Sequence, residues 1–222
     1  KMLVGVEPIK ATTLEKFLDI KKDIHIINGY GPSETTICST MYDFNNRKDK
    51  EEIVQCLKQN QLCAIKTDTV FGIMAIMSKE NEIKINRLKQ SPLDKRISII
   101  VENTDYLKKQ VENLTSEEEN MIDHKLPGKY TFIVKLKHDF CTSRGFERQD
   151  FGVRVTTNNF LQELIKESGP LLASSCNISG KEPCSNTKEI IEQFQDTNLM
   201  VVDGIVTDNT PSTIISFIEH GK

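Results

Sequence analysis

The chain has 222 residues, of which 37% are apolar and 27% charged, with a formal net charge of −3. That length can bury a self-sufficient core, and the charge balance argues against a disordered chain or a broadly basic nucleic-acid surface, while leaving room for a local basic cleft. No apolar run approaches the roughly 18 residues of a membrane-spanning helix, and the first residues lack the basic-then-apolar layout of a signal peptide; a cytoplasmic protein is expected.

Residues 1–43 read as a short βαβ-like appendage. It has a strand at 2–6, a helix with Thr12 as N-cap and Glu15 three positions later, and a strand at 24–27. It closes in a Gly/Pro/Ser turn, INGYGPSETT at 27–36. The polar run FNNRKDKEE at 44–52 reads as a linker entering a helix.

From there helical and strand patterns alternate. Ile53, Val54 and Leu57 make one helix face, 62–65 is a short apolar strand, Ile83, Arg87 and Leu88 fall on a helix, and 97–101 is a β-branched strand. The pair Thr115 and Glu118 forms a capping box at the start of another helix. Strands at 132–136 and 152–155 follow, then a helix carrying Phe160, Leu161, Leu164 and Ile165 that stops at Gly169. A strand at 171–173, a helix near 187–194 and strands at 199–202 and 213–217 complete the series. The pattern predicts an α/β (α+β) domain over 44–222, built on one large mixed, twisted sheet flanked by helices.

The six cysteines (38, 56, 63, 141, 176 and 184) show no C-x-x-C spacing and read as reduced thiols. His25, His124, His138 and His220 are far apart and without a carboxylate pattern, so no metal site is expected. Neither G-x-x-x-x-G-K-[ST] nor G-x-G-x-x-G occurs, so any phosphate must be held by scattered cations, hydroxyls and amides.

Four stretches could do this. LLASSCNISGKEPCSN at 171–186 gathers small polar groups at a strand end, either as a phosphate or carboxylate cradle or as a self-satisfied turn. Lys84, Arg87, Lys89, Lys95 and Arg96, opposed only by Asp94, form either a solvated helix face or a site. Thr67, Asp68 and Thr69 follow a strand at the carboxyl end of a sheet, a usual place for ligands. Arg154 interrupts the apolar run FGVRV and must have a partner, in a structural ion pair or an anion site.

KTDTVFG at 66–72, RLKQSPLDKR at 87–96, LPGKYT at 126–131, FGVRV at 151–155, SSCNISG at 174–180 and PSTIISF at 211–217 together resemble the YrdC-like family. Its signature is P-T-D/E-T-V-Y-G, K-x-R, P-G-x-x-T, V-R-x-P, S-x-N-x-S-G and a late S-T-V. The resemblance implies the YrdC-like fold and a threonylcarbamoyl-AMP synthase, which converts ATP, L-threonine and bicarbonate into threonylcarbamoyl-AMP and pyrophosphate. A separate transferase then uses the product to modify tRNA. It implies Mg²⁺ accompanying ATP, Lys89 as the catalytic cation on the triphosphate, and Thr67, Arg154 and Ser212 around threonine. Lys89, Ser175, Asn177 and Ser185 would face the nucleotide.

The chain departs from the pattern at Lys66, Phe71 and Cys176, and above all at Ser91, which stands where the second basic residue of K-x-R belongs; Lys95 or Arg96 could compensate. It also stops at Lys222, where the family usually continues to a further strand and a nucleotide-contacting arginine.

INGYGPSETT, with VGVEPIK at 4–10, is similar to the N-x-Y-G-P-T/S-E-x-T motif of adenylate-forming enzymes, in which Tyr30, Ser33 and Glu34 would approach adenine, phosphate and Mg²⁺. The unit lacks that family's phosphate loop and mobile lysine and reads as a remnant. Two alternatives stay open: a catalytically weakened YrdC-like protein that binds nucleotide, tRNA or double-stranded RNA, and an amino-acid adenylating enzyme.

Overall fold

The computed structural model describes residues 2–5, 26–29, 47–195, 197–202 and 212–218. Strands β1 (Met2–Gly5) and β2 (Ile26–Gly29) pair in parallel; residues 24 and 25, where the sequence puts the start of the second strand, lie outside the described residues. The helix expected after Thr12 lies outside the described residues, as do Tyr30, Ser33 and Glu34.

The main unit runs α1 (Arg47–Lys58), β3 (Leu62–Lys66), β4 (Phe71–Ile76), α2 (Lys79–Leu88), β5 (Ser98–Val101), α3 (Thr104–Gln110) and α4 (Ser116–Lys125). It continues through β6 (Tyr130–Lys135), α5 (His138–Thr142), β7 (Asp150–Val155), α6 (Asn159–Ser168), β8 (Leu171–Ser175), α7 (Thr187–Gln193), β9 (Leu199–Val201) and β10 (Thr213–Ser216). Eight strands form one mixed sheet in the order β10-β6-β7-β5-β8-β4-β3-β9. The pairs β10–β6, β7–β5 and β3–β9 are parallel and the others antiparallel.

Because successive strand residues point to opposite faces, each strand divides its side chains between two layers. Ala64, Phe71, Ile73, Ile99, Val101, Phe132, Val134, Val153 and Leu172 face one layer, which α2, α3, α4, α5 and α7 cover with Ile85, Leu107, Ile122, Phe140 and Ile190. Cys63, Ile65, Met74, Ile100 and Leu171 face the other, under Ile53, Val54 and Leu57 of α1 and Leu161, Leu164 and Ile165 of α6. Lys50 fastens those two helices by reaching Glu163 at 3.2 Å and Glu167 at 2.7 Å. This second face is where polar strand residues are left for a ligand.

Local signals behave as their chemistry requires. Thr115 and Glu118 close their capping box, and α6 ends at Gly169 with φ 88°, a conformation that costs glycine little. Helix α2 ends in a Schellman turn: the Ser91 amide donates to Asn86 at 2.9 Å and the Gln90 amide to Arg87 at 3.1 Å, with Gln90 at φ 53°. That turn places Lys89 at the helix end, over β8.

Helix α2 is anchored from below by Glu82, whose side chain is fully buried. It accepts both arms of the Arg148 guanidinium, and Lys79 Nζ at 2.9 Å. Arg148 in turn lies on the rings of Phe146 and Phe151. Burial is the largest influence on the Glu82 carboxyl and favours its neutral form, but Arg148 and Lys79 together hold it below its ordinary 4.5. Removing the carboxylate strands a buried guanidinium, so Glu82→Gln should lose about 3–5 kcal/mol of stability. Its contribution is present above the unfolded-state pKa and lost as pH falls through the lower folded value. Urea unfolding of wild type and Glu82→Gln at pH 7 and at pH 4 should therefore give a gap that narrows at the lower pH.

Candidate functional site

On the α1/α6 face, the positions beyond those helices include small or hydroxylated residues, Gly72 on β4, Ser98 on β5, Thr131 on β6, Gly152 on β7 and Ser175 on β8, together with the cationic Arg154 on β7. Gly152 is required by close approach, since a Cβ there would come within 2.7 Å of the Ser98 hydroxyl and 3.1 Å of Thr131. The result is a cavity of about 190 Å³ lined by Thr67, Thr69, Gly72, Ser98, Thr131, Arg154, Ser175 and Ser212, among others. That volume suits a ligand smaller than a drug-sized molecule. Thr131 and Ser212, 81 residues apart, join their hydroxyls at 2.7 Å across its wall.

Arg154 supplies the cavity's charge. It projects from β7 beside Ile100 and is 8% exposed. Its Nη1 donates to Thr69 Oγ1 at 2.8 Å and its Nη2 to Asp68 Oδ1 at 2.7 Å, while Nε is buried without a partner. The partner that the sequence demanded for this arginine is thus Asp68. An orphaned buried N–H is costly, and a carboxylate oxygen would satisfy it. Thr67 shapes the turn between β3 and β4: its hydroxyl donates to the Val70 carbonyl at 2.6 Å and accepts the Thr69 and Val70 amides at 3.0 and 3.1 Å.

A second cation sits at the cavity's edge. Lys89, 3% exposed, directs its ammonium at the Ser175 carbonyl, the Asn177 carbonyl at 2.8 Å and Asn177 Oδ1 at 3.1 Å. The Lys89 carbonyl accepts the Ser179 amide at 2.7 Å, so the 175–179 loop and the end of α2 hold each other. Among the described residues Lys89 makes no ion pair with a carboxylate. Burial is the main reason its pKa is pushed down from 10.5 to about 8; Cys176 opposes the shift, the charge of Lys95 adds to it and Cys184 opposes it more weakly. A buried ammonium that meets only neutral oxygens is poised to receive an anion.

Ser175 belongs to both centres, since it lines the cavity with Arg154 and contacts Lys89. The structure therefore brings together Thr67, Arg154, Ser175 and Ser212, with Lys89 and Asn177 adjoining. Ser185 is not among the lining residues: its hydroxyl lies 3.0 Å from both oxygens of Glu189, at the start of α7. Ser91 is buried with a hydroxyl that has no partner, and Arg96 points outward to Asp150 at 3.7 Å, 66% exposed. Sequence reasoning missed Ser98 as a lining residue and Thr131 as the partner of Ser212; Thr131 was signalled by its place at the end of LPGKYT.

A larger depression, about 460 Å³, lies among Glu102, Asn103, Thr104, Pro127, Val155, Gln162, Glu163 and Lys166. It mixes both signs of charge and contains none of the buried unpartnered groups found among the described residues, so the smaller cavity is the candidate site.

The profile of the Sua5/YciO/YrdC family, described as telomere recombination, matches residues 55–222. A threonylcarbamoyl-AMP synthase from Aliivibrio fischeri is 29% identical over 179 residues, covering 79% of this chain and 97% of that protein. Among solved structures, P. abyssi Sua5 complexed with L-threonine superposes with a TM-score of 0.69 at 21% identity, covering 81% of this chain and 54% of that one. The chain thus spans about half the length of that Sua5. E. coli YciO gives a TM-score of 0.69 at 20% identity, covering 81% and 89%.

At pH 8 about half the Lys89 side chains are neutral, and a bound anion would restore the charge. Binding of MgATP at pH 8 should therefore take up on the order of half a proton. Titration calorimetry in buffers of different ionisation heat reads that uptake, which should vanish in Lys89→Met; equal uptake in the variant would remove Lys89 from the anion's surroundings. The sign for stability is opposite to the usual lysine pair: the folded pKa lies below the unfolded one, so the Lys89 contribution improves as pH rises from about 8 to 10.5.

Proposed function

The chain belongs to the Sua5/YciO/YrdC family, and on that premise we propose that it is a threonylcarbamoyl-AMP synthase. Its reaction takes ATP, L-threonine and bicarbonate to threonylcarbamoyl-AMP and pyrophosphate. The observation that carries this reading is the pair of buried cations sharing Ser175: Lys89, without a carboxylate partner among the described residues, and Arg154, which lines the cavity and keeps an unsatisfied N–H. One suits a polyphosphate and the other a carboxylate.

The chemistry divides into two steps. Threonine's amine adds to bicarbonate with loss of water, giving a carbamate; a carbamate oxygen then attacks the α-phosphorus in line and pyrophosphate leaves. Arg154 holds the threonine carboxylate, and the hydroxyls of Ser212 and Thr131 face the substrate's polar groups. Lys89 leaves the Ser175 and Asn177 carbonyls for the phosphates and offsets the charge that develops there. Catalysis by this route is positioning and charge stabilisation, which fits a cavity whose described lining residues include no general acid–base pair. Mg²⁺ is proposed to enter with ATP on the phosphate oxygens, the usual arrangement for that ion. ATP, threonine and bicarbonate are the proposed small-molecule partners, and a tRNA-modifying transferase the proposed consumer of the product.

A second reading is favoured by Ser91, which offers no guanidinium and leaves its hydroxyl without a partner: a protein that binds nucleotide, or tRNA, without turning it over. Pyrophosphate release by the purified chain with MgATP decides between them. The synthase reading expects release that requires both L-threonine and bicarbonate, and that falls about 10²–10³-fold in Lys89→Ala. ATP binding without release under any combination would select the second reading.

A further inference from the structure

Arg154 and Lys89 adjoin one cavity, yet the chain surrounds them differently. Lys89 meets only neutral oxygens, whereas Arg154 is half-neutralised by Asp68. Asp68 does not line the cavity. Its carboxylate is filled by other donors: Arg154 Nη2 and Thr156 Oγ1 at 2.7 Å on Oδ1, and the Thr157 amide and hydroxyl at 3.4 and 3.3 Å on Oδ2. It ties the β3–β4 turn to the end of β7 and acts on a ligand only through Arg154.

Two effects of that carboxylate oppose each other. By clamping Nη2, with Thr69 on Nη1, it fixes the plane of the guanidinium and leaves Nε for a ligand; by its charge, it lowers the attraction of Arg154 for any anion. A site that needed only the strongest pull on an anion would leave Asp68 out. A site that must keep two anionic substrates in their own places would keep it, because the difference between the two ends sets the orientation.

We propose that Asp68 is a positioning and charge-sorting residue: it reserves the Arg154 end for a carboxylate and leaves polyphosphate to Lys89. The assignment rests on the synthase reading of this same site. A carboxylate can use the fixed Nε in spite of the weakened field, because a charge-assisted N–H···O⁻ bond satisfies the one donor left without a partner. A polyphosphate, held chiefly by net charge, gains too little there to compete with the uncompensated ammonium.

Inorganic pyrophosphate is the probe. Titration calorimetry of the wild type should give one pyrophosphate site, abolished in Lys89→Ala. Asp68→Asn removes the charge and keeps the shape; it should gain a second site that Arg154→Gln removes, and pyrophosphate should then inhibit competitively against L-threonine on the order of tenfold more strongly than in wild type. Asp68→Glu keeps the charge and should keep a single pyrophosphate site. If Asp68→Asn does not fold, Asp68→Ser carries the same arm. In parallel, the ¹⁵N–¹H signal of Arg154 Nε should ignore pyrophosphate in the wild type and respond to it in Asp68→Asn.

The proposal is overturned if pyrophosphate moves the Arg154 signal in the wild type, or if the charge-removing variants keep one site. Failure of the synthase reading looks different: L-threonine would leave the Arg154 signal unmoved and no pyrophosphate would be released, while the pyrophosphate stoichiometry would still report on Asp68.

Discussion

A lysine ammonium taken out of water and given no carboxylate among the described residues is the constraint around which the site is arranged. Burial of Lys89 costs free energy that the carbonyls of Ser175 and Asn177 offset only in part, and burial pushes the lysine's pKa down to about 8. The fold enforces this placement from several directions. The Schellman turn at Gln90 stops α2 at Lys89, the Ser179 amide pins the lysine's own carbonyl, and the Glu82–Arg148 pair fixes the helix beneath. A surface lysine would choose solvent; this one has been left an unmet demand for negative charge.

The sheet supplies the rest by arithmetic of alternation. One face of β4, β5 and β7 is apolar throughout, is joined by Leu172 of β8 and lies under five helices, while the other is apolar only beneath α1 and α6. Where those two helices stop, the same alternation delivers Gly72, Ser98, Thr131, Gly152, Arg154 and Ser175 to one surface. Residues from five strands and from loops separated by more than a hundred positions therefore converge without any contiguous motif. This is how the chain forms a polar cavity in the absence of a phosphate-binding loop.

Much of the fold was legible because amphipathic helices and isolated β-branched strands announce their periods; α1, α2, α4, α6 and α7 fall where the pattern puts them. Strand β4 was not legible, because FGIMAI is buried on both faces and carries no alternation to read. Helices α3 and α5 are short, and α3 buries only Leu107, too little to leave a periodic signal. At the site, the residues that ordered motifs carry, Thr67, Lys89, Arg154, Ser175, Asn177 and Ser212, gather at one place, while Ser185 serves a helix start. The partnership of Arg154 with Asp68 depends on a contact 86 residues apart, and only the need for some partner could be read in advance.

The proposed synthase reaction divides the substrates between the two cations. A crystal structure of the chain with L-threonine and a non-hydrolysable ATP analogue tests this division most directly. The amino-acid carboxylate should lie on Arg154 Nε and the phosphates on Lys89, withdrawn from the Ser175 and Asn177 carbonyls. Phosphates seated on Arg154, or both ligands outside the cavity between β8 and β6, would contradict it.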